Sequence, residues 1–153
     1  MIDWDALKAP FPEKAIHWRV GATTTDKSKG IALAYIDARD VMKRFDDVVG
    51  PEDWQDKYSH VTSNGIVCDI GLYTGERWIW KANGAGETQV EAEKGAMSDA
   101  FKRAAVMFGV GRYLYSLPNV WVELDNFRKI KNPPNLPKWA TPEGFKEIME
   151  KRK

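Results

Sequence analysis

Apolar residues fall on alternate positions in the middle of the chain. Ile66, Cys68, Ile70 and Leu72 share one face of a strand predicted over Ile66–Tyr73. Flanking stretches at roughly Trp54–Val61 and Arg77–Ala82 read as strands too. Asn64-Gly65 and Thr74-Gly75 separate the three as turns. Strands joined by such short turns form an antiparallel meander, with one face to pack on helices and the other open to solvent. On the third strand Trp78, Trp80 and Ala82 share a face, leaving Arg77, Ile79 and Lys81 on the other. Tryptophans at alternate strand positions read first as core.

Elsewhere the period changes to that of a helix. Asp37 is placed to cap a helix running to about Val49, with Val41, Phe45 and Val48 on one face. Gly50-Pro51 stops it. The longest helix is predicted over about Thr88–Phe108, with Thr88 as cap. Its apolar stripe is Val90, Met97, Phe101, Ala104 and Phe108, and Gly109 and Gly111 end it. Ile31–Ile36 reads as a short buried strand, Thr23–Gly30 as a polar loop, and "RYLYSLPNVWVEL" as a tight turn followed by a strand. Near the start, "KAPFPEKAIHWRV" is punctuated by proline, with an apolar stretch at Ile16–Val20. "KNPPNLPKW" is a Pro-rich connector, and Thr141-Pro142-Glu143 opens a short charged helix. The predicted class is α+β: an antiparallel β-meander of three or more strands packed on a long α-helix, with a shorter N-terminal helix.

Composition narrows the function without naming it. A chain of 153 residues suits a single domain, with a core at 10–124 and a Pro-rich linker and short C-terminal helix at 125–153. Apolar residues at 43% and charged residues at 29% predict a folded chain. The formal charge is only +1, so any polyanion partner must meet positive charge sorted onto one surface. One cysteine excludes an intrachain disulfide, and two histidines are too few for a His-based metal site. With no apolar run of about 18 residues, a soluble cytoplasmic protein is expected. Seven Trp, six Phe and five Tyr can fill a core or offer flat faces to bases.

Three constellations bear on chemistry. "NGAGETQ" lies between strand and helix, as phosphate-binding loops do. However, Gln89 stands where a third glycine is needed and Glu87 repels phosphate. Gly84 and Gly86 read better as a turn with positive φ. Asp69, Glu91, Glu93 and Lys94 are the raw material of a metal-dependent nuclease. The two glutamates are two residues apart on a helix and diverge, so acids favoured by the helix dipole explain them better. The third is "AMSDAFKRAAVMFG", where Lys102 and Arg103 interrupt a small, apolar helix. Asp99 stands four residues before Arg103 and can pair with it for about 0.2–0.5 kcal/mol. Lys94 falls roughly on the Lys102 side. On spacing alone, a solvated helix edge and a surface crossed by something negative both remain open.

The ordered set "PFPEKAIHWRV", "ALAYIDARDVMKRFDDVVGPEDWQDKY", "GIVCDIGLY" and "EKGAMSDAFKRAAVMFGVGRYLYSLP" resembles the Rad-fifty-two/Sak superfamily of single-strand annealing proteins. The likeness runs over roughly Pro10–Leu124 and is greatest to the short phage-type members. It implies an antiparallel sheet crossed by the long helix, assembled into rings or filaments of identical subunits. It also implies single-stranded DNA in a positive groove and annealing without ATP, cofactor or catalytic residue. That places the protein in recombination and repair, in a bacterial host cytoplasm if phage-encoded. A recombinase, an exonuclease or a single-strand-binding protein is an implied partner.

By the resemblance, Lys102 and Arg103 match the basic pair that holds the DNA backbone. Val106 stands where eukaryotic members often carry a third cation, and Asp40 occupies another basic position, with Arg39 beside it. Pro51 replaces an aromatic. Candidate compensating cations are Arg44, Lys57, Lys81 and Arg112, with Lys94 on the helix itself. Tyr58, Tyr113 and Tyr115 are candidates for base stacking, and Thr23–Gly30 for a lysine-bearing flap. The alternatives are a metal-dependent nuclease of a phage recombination system and a ring-forming module that recruits a recombinase.

Overall fold

A computed structural model describes residues 1–62, 65–86 and 92–153, with the backbone alone for 61–62 and 92–94. Asn64, Thr88 and Val90, which carry parts of the predicted turn and helix, lie outside the described residues. The fold is α+β, with two antiparallel three-stranded sheets and four α-helices among the described residues. These residues fall into two compact units, Met1–Ala9 with Asp37–Arg112, and Pro10–Ile36 with Tyr113–Lys153.

The first unit contains the predicted meander. β3 (Trp54–Thr62), β4 (Gly65–Tyr73) and β5 (Trp78–Gly86) pair in sequence order. Ile66, Cys68, Ile70 and Leu72 of β4 are buried as their alternation requires. Onto that face packs α3 (Ala92–Met107). The buried positions of α3 are Ala96, Ala100, Phe101, Ala104 and Ala105, followed by Phe108 just past its end. Met97, predicted in the stripe, is exposed. Methyl-sized residues let the helix axis approach the sheet, and the wider Met side chain stays outside. Phe101 and Phe108 fill the remaining space against Phe45 of α2 (Ala38–Val48), at ring separations of 6.3 and 6.5 Å. Trp54 of β3 closes the cluster, 5.4 Å from Phe45 and 6.0 Å from Phe101.

The end of α3 is fully accounted for. Gly109 (φ +98°) supplies the left-handed residue that stops the helix. Its N–H bonds the Val106 carbonyl at 2.9 Å, and the Val110 N–H reaches back to Ala105 at 3.1 Å. Short α1 (Trp4–Lys8), capped by the Asp3 side chain on the Ala6 N–H, was not predicted. Arg44 of α2 holds its exit, donating to the carbonyls of Ala6, Leu7 and Ala9 at 3.1, 2.9 and 2.7 Å.

The predicted glycine turn is not a turn. β5 continues through Gly84 to Gly86, and Gly84 is absent from the positive-φ residues. A side chain at Gly84 would stand 3.0 Å from the Ile66 carbonyl, so close approach to β4 explains this glycine.

In the second unit β1 (His17–Thr23) and β2 (Lys29–Tyr35) form a hairpin, and β6 (Val120–Glu123) pairs with β2. The predicted Thr23–Gly30 loop is thus a tight turn between longer strands. Asp26 holds it, accepting from the Thr24 and Ser28 hydroxyls and the Ser28 N–H. These bonds lower the Asp26 pKa to about 2, the Ser28 N–H contributing most. α4 (Pro142–Lys151) begins as its sequence predicts, with Thr141 accepting from the Gly144 N–H at 3.1 Å.

Candidate nucleic-acid interface

All seven candidate DNA-binding cations belong to the first unit: Arg39, Lys57, Lys81, Lys94, Lys102, Arg103 and Arg112. The structure sorts them by what else they do. Arg103 is exposed on α3, and its Nε meets Asp99 Oδ2 at 3.2 Å. The two side chains keep 52% and 50% of their surface, so water screens the pair and it adds little to stability. Lys102 is half-buried beside it. Neither belongs to the buried face of Ala96, Ala100, Phe101, Ala104 and Ala105. Lys94 lies in the backbone of the same helix, and its side chain is outside the described residues.

Lys81 and Arg112 serve the helix terminus instead. Lys81 Nζ donates to the Met107 carbonyl at 3.2 Å. Arg112 donates to the same oxygen at 3.0 Å and through Nε to Val106 at 3.0 Å. The last turn of α3 has no basic residue of its own. These two cations therefore supply both the missing donors and the charge that the helix dipole favours. Lys81 also sits 5.3 Å from the centre of the Phe108 ring.

Lys57 points the other way. It pairs in register with Asp69, between Cys68 and Ile70, whose side chains face α3. Lys57 is therefore on the opposite face of the sheet, over the Trp80 ring at 4.2 Å. Trp78 and Trp80 share that face and are each 37% exposed, not core as alternation predicted. The reason is topological: α3 covers one face only. Trp80 lies flat on Gly71, where an added Cβ would stand 2.7 Å from the indole. Trp78 stacks on Trp80 at 6.1 Å and meets Tyr73 at 5.4 Å. The signal was present in the sequence, because a glycine opposite a tryptophan leaves room for a ring to lie across a strand. Arg39 is exposed in the first turn of α2.

The tyrosines divide in the same way. Tyr113 accepts the Phe11 N–H at 2.9 Å, a bond internal to the second unit. The Tyr58 hydroxyl donates to Asp56 at 3.0 Å; burial and then the Asp56 charge raise its pKa. Burial likewise pushes the Cys68 thiol up to about 12, with Asp56 adding to it. Tyr115 is open to solvent. Among the described residues no three His, Cys, Asp or Glu side chains gather to hold a metal. Glu91 and the Glu93 side chain, on which the nuclease reading depends, lie outside the described residues. No described helix is long and apolar enough to cross a membrane.

The chain's own sequence carries this further. Residues 4–132 match the model of the Rad52/22 family double-strand break repair protein. The chain belongs to this family. Two relatives are similar over 139 residues, 90% of this chain. Both are named single-stranded DNA-binding protein DdrA. The protein from Deinococcus deserti is 42% identical and covered over 69% of its length; that from Deinococcus radiodurans is 39% identical and covered over 66%. Family membership sets a DNA-repair context for the exposed cations of α3.

Proposed function

We propose that this chain binds single-stranded DNA through Lys102 and Arg103, and that as an oligomer it anneals complementary strands without ATP. One observation carries the reading. Two adjacent cations stand beside the buried face of α3, and Arg103 is engaged only by a solvent-screened carboxylate. A phosphate can take the place of Asp99 on the Arg103 fork at little cost, because guanidinium and phosphate match in geometry. The names of the two DdrA relatives support single-stranded DNA as ligand.

The mechanism is physical. Holding phosphates leaves base edges free to test a second strand, and base pairing supplies the free energy. Neutralised phosphates also lower the repulsion between two polyanions. With a formal charge of +1, affinity depends on a local basic surface repeated by neighbouring subunits. The test is the binding of unstructured oligonucleotides measured across salt concentrations. Log affinity falls against log salt with a slope of about −0.7 per phosphate neutralised. A flat response contradicts the proposal.

A further inference from the structure

The β3-β4-β5 sheet ends in two bare edges. β3 and β5 are nine residues long, and each pairs with β4 alone. Among the described residues, no backbone–backbone hydrogen bond outside the β4 ladder is made by Trp54–Ser59 or Trp78–Gly86. Such an edge is a template for another strand unless proline, a bulge or outward charge blunts it. β5 has no proline and pairs with β4 without a register shift. Its one charged residue, Lys81, is turned onto the end of α3. Trp80 lies inward across Gly71 towards Lys57, so it does not overhang the edge.

The free hydrogen-bonding direction can be read from Gly84. Its N–H is held by the side chain of its neighbour Asn83 at 2.8 Å, not by β4. N–H directions alternate along a strand, so the N–H groups of Ala82 and Trp80 also point outward.

We infer that β5 of one subunit pairs with β3 of the next copy of this chain. The argument is one of edges. A foreign strand covers one edge and leaves the other bare, and pairing β5 with β5 or β3 with β3 does the same. Only a head-to-tail contact covers both edges in every subunit, and such a contact repeats into a ring or filament. Both β3 and β5 run antiparallel to β4, so they run the same way. Side-by-side repetition therefore makes the seam between subunits parallel, within an otherwise antiparallel sheet. This inference rests on the oligomer proposed above and names the surfaces that build it.

Ala82→Pro tests it, because it removes an outward N–H and leaves the β4 ladder whole. Light scattering and circular dichroism should find the wild type a multimer and the variant a folded monomer. A folded variant that keeps the wild-type mass overturns the seam and leaves the oligomer standing. A monomeric wild type overturns both. If the variant does not fold, hydrogen exchange on the wild type decides. The outward amides of Trp80, Ala82 and Gly84 should exchange as slowly as those of Lys81, Asn83 and Ala85, which face β4. Outward amides exchanging roughly tenfold faster or more, as an open edge does, overturn the inference.

Discussion

α2 and α3 pack against each other and each carries cations, yet the two helices use charge in opposite ways. On α2, Arg44 is spent on structure, with three carbonyls of the α1 exit sharing its guanidinium. On α3, the terminal carbonyls take their cations from elsewhere, from Lys81 on β5 and Arg112 beyond the helix. Arg103 is left on the surface with one screened carboxylate. Cations that complete a hydrogen-bond account belong to the fold. Those that do not are available to a ligand. Sequence spacing cannot separate the two kinds, because both are basic residues on helical surfaces.

Substitutions sharpen this contrast in order of size. Phe101→Ala should cost about 3–5 kcal/mol in a denaturant melt, since the ring is 1% exposed and its removal leaves a cavity between α2, α3 and β3. Arg44→Ala should cost about 2–3 kcal/mol, because three part-buried carbonyls lose a charged donor. DNA binding per folded molecule should be unchanged. Arg112→Ala should cost about 1 kcal/mol, the loss of two exposed bonds at the end of α3. If Arg112 instead contacts DNA directly, its loss will weaken binding by more than that instability explains. Asp99→Ala should change stability by only about 0.2–0.5 kcal/mol. It should nonetheless tighten single-strand binding at low salt, because it frees Arg103 from a competing carboxylate. Weaker binding in that variant would place Asp99 in the interface rather than beside it.

Much of this architecture was legible in the sequence where pairing is local. The meander follows from alternation and turns. α2 follows from Asp37, Val41 and Phe45, and α4 from Thr141-Pro142. What the sequence hid depends on distant partners. β6 is four residues long and pairs Val122 with Gly30, across most of the chain. α1 has five residues, too short for a periodic signal. The Ala face of α3 is weakly apolar and is buried because a sheet lies beneath it, so the stripe predicted from large residues misplaced Met97. Trp78 and Trp80 were misplaced for the converse reason, since nothing in β5 says which of its faces a helix will cover. The Lys102–Arg103 pair stood out as an anomaly in the sequence. Its separation from Lys81 and Arg112 needed the carbonyls of Val106 and Met107 on the page.

The most direct test of the central claim replaces both Lys102 and Arg103 with Glu and measures annealing of complementary oligonucleotides at moderate salt. Neither side chain lies on the buried face of α3, so thermal unfolding and subunit mass should stay near those of the wild type. Each substitution turns attraction for phosphate into repulsion, so annealing and single-strand binding should be lost together. A folded variant of wild-type mass that still anneals at the wild-type rate would contradict the assignment of this pair to the DNA backbone.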